Sequence, residues 1–265
     1  MLRFFGKFAA LILVAATAVA QTAPQSVGVV VMHGKGGSPK GYVAELASGL
    51  EAKGYNVANL EMPWSGNRNY DVDTAAAEAE IDAALDKLRA KGATRLFVAG
   101  HSQGGAFALN FGSKHAVDGI IAIAPGASSA SQIVRERLGG TLDEARKLVA
   151  EGKGAELARL KDFEGAKGTY TVVCKPENYV TWFDPEGAMN QMQSMRAMKP
   201  GTAVLFIVPT NDFPNLLKLK RPSFDALPRN PLTRLYEPEA SHTSAPSASR
   251  EEISRWMLEV ANPPH

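Results

Sequence analysis

The sequence predicts an α/β fold: a mostly parallel central sheet with helices on both faces and a helical cap insertion. Three observations carry this reading. From Val27 to Val260, short apolar runs alternate with helical patterns. The runs are apolar throughout rather than at every second residue, as in strands buried on both faces. The candidate reactive side chains fall directly after such runs, at the carboxyl edge where parallel sheets bind ligands.

The first strand is Val27–Met32 (VGVVVM), with three consecutive valines. A helix is expected over 39–53, with Ser38 as N-cap, Pro39 at the first helical position and Gly54 just past the end. The second strand is 55–60. The next helix starts near Asp73 and places Ala77, Ile81, Ala84, Leu85 and Leu88 on one stripe. Its acidic residues come early and its basic residues late, and Gly92 stops it. A third strand (95–99), a helix (102–112) and a fourth strand (119–124) follow.

Residues 126–200 exceed what one crossover needs and read as a cap or lid. Thr141-Leu-Asp-Glu144 has the form of a capping box, opening a helix that Gly152 and Gly154 end. A second helix is expected over 186–198. The fifth strand is 203–208 and the sixth 233–236. A closing helix over 247–260 buries Ile253, Trp256, Met257 and Val260.

The 265 residues are 45% hydrophobic and 21% charged, enough apolar material for a sizeable core. Collagen, coiled coil and a largely disordered chain are excluded. Arg3 and Lys7 precede an apolar stretch over 8–19, and Ala18-Val19-Ala20 fits the small-x-small cleavage rule. Residues 1–20 therefore read as a signal peptide cut after Ala20, leaving a domain over 21–265 in the periplasm or the medium. The apolar stretch is shorter than the ~20 residues of a membrane span, so no stable membrane anchor is expected. Lys and Arg number 29 and Asp and Glu 27; losing Arg3 and Lys7 leaves 27 against 27. No positive excess remains to neutralise a phosphate backbone, so nucleic-acid binding is not expected. The single cysteine, Cys174, cannot form an intrachain disulfide. TVVCKP reads as a strand end, where Cys174 is a buried, inert thiol.

Gly100-His101-Ser102-Gln103-Gly104 lies between a strand and a helix, the context that exposes a serine at a sheet's carboxyl edge. Ser102 is the candidate nucleophile, and a serine alcohol needs a base. His242 lies after the last strand and before the closing helix. His33 sits in the first loop, His101 precedes the serine, His115 follows a helix and His265 is the final residue. Asp212, after the fifth strand, is the candidate carboxylate orienting the base. Its rivals are Asp184, Glu237 and Glu239. The loop His33-Gly34-Lys35-Gly36-Gly37 can bring a backbone N–H to a reacting carbonyl oxygen, so the oxyanion hole is assigned to the N–H groups of Lys35 and Gln103. No metal-ligand cluster and no nucleotide-binding glycine loop is visible, so neither a metal nor a cofactor is expected.

The HGKGG loop, the GHSQG elbow, Asp212 and His242, in the order serine, acid, histidine, resemble the α/β-hydrolase fold superfamily over about 27–260. The resemblance implies a serine hydrolase without cofactor, most often an esterase acting on a small-molecule ester through an acyl-enzyme. Thioesterases and amidases share the fold, and a binding protein could keep it without turnover. Glu61-Met-Pro-Trp-Ser-Gly66 departs from the Asp-x-x-Gly-x-Gly-like turn of many members. Trp64, Tyr179 and Trp182, with Tyr70 and Phe183, are expected either to line the substrate pocket or to pack the insertion onto the domain. Met189, Met192, Met195 and Met198 recur every third residue and cannot share one narrow helical stripe.

Overall fold

The computed structural model describes residues 22–126, 128–165 and 167–263, so the expected signal segment and its cleavage site lie outside the described residues. Six parallel strands form the central sheet: β1 (Val27–Met32), β2 (Asn56–Leu60), β3 (Arg95–His101), β4 (Gly119–Ile123), β7 (Ala203–Ile207) and β8 (Arg234–Tyr236). Their spatial order is β2-β1-β3-β4-β7-β8. The chain runs outward from β1 to β2 and then returns to β3, so the order reverses between β1 and β3. That switch point opens a crevice at the carboxyl ends of these two strands.

The inner strands β1, β3, β4 and β7 are mostly apolar because each feeds two cores, while the edge strands β2 and β8 are half-buried. Val27, Val29 and Val31 join Phe97, Ala99, Ile121, Ile123, Leu205 and Ile207 on one face. Val30 and Met32 join Leu96, Val98, Ile120, Ala122, Val204 and Phe206 on the other. Helices α1 (Ala44–Ala52) and α9 (Arg250–Ala261) cover the first face, with Trp256 fully buried. Helices α2 (Thr74–Ala90) and α3 (Gln103–Lys114) cover the second. The second helix starts where expected, and Asp73 caps it: its side chain accepts from Ala76 N–H at 2.7 Å.

Several boundaries differ from expectation. The first helix starts at Ala44 rather than after Ser38, with Val43 as N-cap. Residues 38–43 form turns instead: Gly41 N–H bonds Ser38 O, and Asn59 Nδ2 takes the Pro39 carbonyl at 2.8 Å. The closing helix is broken into α8 (Ala245–Ala248) and α9. An unexpected helix, α7 (Pro214–Asp225), follows β7 and carries Pro222 inside it.

Between β4 and β7 lie α4 (Gln132–Ala150), the antiparallel hairpin β5 (Ala158–Glu164) and β6 (Gly168–Cys174), α5 (Pro176–Phe183) and α6 (Gln191–Ala197). Thr141 does not cap a helix. It is buried inside α4, whose stripe of Leu138, Leu142 and Ala145 begins before it. Of the hairpin only the end of β6, at TVVCKP, was expected; β5 and the pairing were not. The helix expected over 186–198 is shortened, with Asn190 capping it through a bond from Gln193 N–H at 3.2 Å. Cys174 ends β6, and burial together with the charge of Asp162 pushes its thiol up to about 12.

Candidate active site

Ser102 occupies the single residue between β3 and α3, at φ 53° and ψ −116°. A non-glycine residue there is strained, and the surrounding chain must over-determine it. The two glycines of the pentapeptide allow that. A Cβ on Gly100 would lie 2.1 Å from the Gly104 carbonyl oxygen. A Cβ on Gly104 would lie 2.7 Å from the carbonyl oxygens of both Met32 and His33. The elbow therefore folds onto itself and onto the end of β1, with no room for side chains. Hydrogen bonds from Ser102 N–H to Ile123 O (2.9 Å) and from Gly126 N–H to Ser102 O (3.0 Å) hold it in place.

Asp212 and His242 meet through the loops after β7 and β8. Backbone bonds continue the pairing past the strands, and Asn211 bridges Ser241 in parallel. Each of the two residues directly follows a bridge partner. His242 Nδ1 bonds Asp212 Oδ1 at 2.7 Å, and the carboxylate side chain is 1% exposed. Phe213 N–H bonds the same oxygen at 2.7 Å. Among the described residues Oδ2 has no partner. The Phe213 ring lies 4.9 Å from the His242 ring. The rival acids are engaged elsewhere: Asp184 with Arg146 at 3.2 Å, and Glu237 with Lys220. Glu239 is exposed.

His101 is a second, buried histidine behind the first. Its Nε2 donates to the His242 carbonyl at 2.8 Å, while its Nδ1 is buried and unpartnered among the described residues. Burial, aided by the neighbouring His242, lowers its pKa to about 4, against 6.5 ordinarily. An unfolded chain therefore takes up a proton as pH falls from 6.5 that the folded chain refuses until about 4. Stability is complete above the upper value and falls through that window, by about 3 kcal/mol from this residue. His33 is also lowered by burial and adds to the loss. His101→Gln should flatten the fall in urea midpoint between pH 7 and 4.5. An unchanged fall would show that other groups govern acid stability.

The HGKGG loop is pinned from two sides. His33 Nδ1 donates to Gly34 O at 2.7 Å, and its Nε2 accepts from Met62 N–H at 3.0 Å. Trp64 Nε1 donates to His33 O at 2.9 Å, and Gly36 N–H bonds Trp64 O. The N–H groups of Lys35 and Gln103 have no acceptor among the described residues.

Ser102, Lys35, Gln103 and His242 line one cavity of about 780 Å³. Its apolar wall comes from Ile133, Val134, Phe163, Trp182, Phe183 and Met189 in the insertion, with Phe213 and Leu216 beyond the site. An adjoining pocket of about 210 Å³ shares Gly126 and Leu216 and is lined by Asp212, Met192 and Met195. No hydrogen bond joins Ser102 Oγ to His242 in this structure. Of the expected pocket aromatics, Trp182 and Phe183 reach the cavity and Tyr70 does not. Trp64 and Tyr179 do not line it and pack wholly in the core. Trp64 spends its indole face on Phe107 and Trp182. Phe163, Phe213 and Ile133 were missed, because no sequence periodicity marks a residue as facing a cavity. Among the described residues, no group of three or more His, Cys, Asp or Glu side chains could hold a metal.

Comparisons with known proteins agree with this architecture. Among solved structures, a Paleococcus ferrophilus monoacylglycerol lipase is 18% identical, with 91% of this chain and 97% of that one covered and a TM-score of 0.63. A structure described for the metagenome-derived lipolytic enzymes LipS and LipT is 20% identical, covering 91% and 96%, with a TM-score of 0.59. Est1E from Butyrivibrio proteoclasticus with bound ferulic acid is 15% identical, covering 89% and 90%, at a TM-score of 0.60. At these identities the likeness concerns the fold. A search of curated protein sequences finds no match. The model of the Alpha/beta hydrolase family matches residues 29–256, most of the chain, and the protein belongs to that family.

Proposed function

We propose that the protein is an exported serine hydrolase that cleaves a carboxylic ester through an acyl-enzyme. One observation carries the reading: Ser102, at a strained elbow, faces the same cavity as a histidine hydrogen-bonded to a buried carboxylate. Ser102 Oγ attacks the ester carbonyl while His242 Nε2 takes its proton. Asp212 holds the opposite ring nitrogen as an N–H donor and balances the imidazolium that forms. The carbonyl oxygen becomes an oxyanion against the N–H groups of Lys35 and Gln103 at the start of α3, where the helix dipole also favours negative charge. His242 then protonates the leaving alcohol. Water, activated by the same histidine, releases the acid and restores Ser102. The absent Ser102–His242 hydrogen bond is compatible with this, since such contacts often tighten only around substrate.

The solved lipases and esterases of this fold support an ester as the bond cleaved, and the apolar cavity wall supports an uncharged acyl group. The charged-then-apolar start of the sequence supports export. A fluorophosphonate probe applied to protein recovered from outside the cytoplasm tests both parts by mass spectrometry. The expected product begins at Gln21 and carries one adduct at Ser102. Folded protein without that adduct would end the hydrolase reading; a retained residue 1 would end the cleavage reading, and protein found only in the cytoplasm would end the export reading.

A further inference from the structure

The insertion grips the HGKGG loop at Lys35. Asp162, on β5, is fully buried and accepts four hydrogen bonds. Lys35 Nζ (2.5 Å) and Phe163 N–H (2.6 Å) bond its Oδ1. Tyr70 OH (2.7 Å) and Tyr170 OH (3.0 Å) bond its Oδ2. A carboxylate has about four acceptor sites, so each is used. Lys35 also donates to Phe163 O at 3.1 Å, and its ammonium lies 5.4 Å from the centre of the Phe183 ring. All three of these Lys35 contacts are with the insertion, 127 or more residues further along the chain.

The Lys35 backbone, by contrast, belongs to the other half of the site. Gly34 O and Gly36 N–H on either side are fixed by His33, Gly37 and Trp64, while the Lys35 N–H stays open beside Ser102. A Cβ on Gly34 would lie 3.2 Å from the Ser102 Cβ, so this peptide already touches the nucleophile. An ion pair so deeply buried does little for the fold. Desolvation consumes most of its attraction, and an apolar pair of similar size would serve β5 as well or better.

We propose that Lys35 and Asp162 are positioning residues: their ion pair clamps the HGKGG loop to the insertion and keeps the Lys35 N–H directed at the developing oxyanion. This rests on the serine-hydrolase reading above. It makes the insertion part of the device that stabilises the transition state, in addition to walling the cavity. A displacement of the donor by roughly 1 Å is enough to lose about 10² in rate.

The test compares Lys35→Met, Lys35→Arg, Asp162→Asn and the double variant Lys35→Met/Asp162→Asn on a p-nitrophenyl ester. Tm is measured alongside, together with inhibition by a trifluoromethyl ketone, whose bound hemiketal places an oxyanion where the substrate's would form. Lys35→Met should lower Tm and reduce kcat about 10²-fold with KM little changed. Lys35→Arg should restore part of the rate. The double variant leaves no unpaired buried charge, so it should recover Tm but not kcat, and its ketone affinity should fall in step with kcat. If Lys35→Met alone does not fold, the double variant decides. Wild-type kcat in the double variant, or a loss confined to KM or Tm, would overturn the proposal. If wild-type protein is not labelled at Ser102, the parent reading fails. If it is labelled and the double variant turns over at full rate, only the clamp fails.

Discussion

Ser102→Ala is expected to reduce kcat on a p-nitrophenyl ester by about 10⁶, with KM close to wild type. The size follows from the mechanism. Without Oγ no acyl-enzyme forms, and His242, Asp212 and the N–H donors then have nothing to activate or stabilise. Alanine keeps the same backbone at φ 53°, so the strain of the elbow and its backbone hydrogen bonds are unaltered. Tm should therefore stay near the wild-type value, which separates loss of chemistry from loss of structure. Steady-state rates on the purified variant and calorimetry of the same sample check this. A residual rate above a few per cent of wild type would mean another group attacks the ester.

Asp212→Asn is the second large effect, about 10⁴ in kcat. Asp212 Oδ1 accepts from both His242 Nδ1 and Phe213 N–H. An asparagine that turns its amide nitrogen toward His242 stabilises the tautomer with the proton on Nε2, the atom that must accept from Ser102. An asparagine that keeps its oxygen there still lacks the charge that balances imidazolium. Asp184→Asn should have little effect, because that carboxylate faces Arg146 at the surface of the insertion and is 33% exposed. Parallel kcat measurements on the two variants decide the point, and the opposite ranking would move the orienting acid into the insertion.

The inner strands of the sheet were legible because they are buried on both faces. Residues feeding opposite cores sit side by side in sequence, so VGVVVM and AVLFIV read as unbroken apolar runs. Asp212 and His242 could be found as a pair because each follows a strand, and the continued pairing of the two loops brings strand-following residues together. The hairpin β5–β6 was illegible for the opposite reason. Its buried positions run Leu160 and Asp162 on one strand and Val172 and Cys174 on the other, but Phe163 beside Asp162 and the exposed Val173 between Val172 and Cys174 are apolar too, so the inward positions do not stand out. A carboxylate at a core position erases the alternation that marks a strand. Only the three-dimensional partners, Lys35, Tyr70 and Tyr170, explain it. The start of α1 was misjudged because Ser38 and Pro39 are as common in turns as at helix starts. Trp64 and Tyr179 show the same limit for side chains: an aromatic near the site has one composition whether it faces a cavity or the core.

The order of residues along the chain has a consequence during synthesis. His101 holds the backbone of His242 across 141 residues, and β8, at the edge of the sheet, brings the base into place. Ribosomes add about 5–20 residues per second, so for several seconds a nascent chain carries its serine without any base. On the mechanism proposed above, the molecule is latent through that interval. A product clipped before residue 242 would keep the elbow sequence and the β1–β3 crevice but lack the proposed base for Ser102. The late arrival of one histidine would then work as an assembly check, with reactivity switching on only in a chain whose β8 has docked.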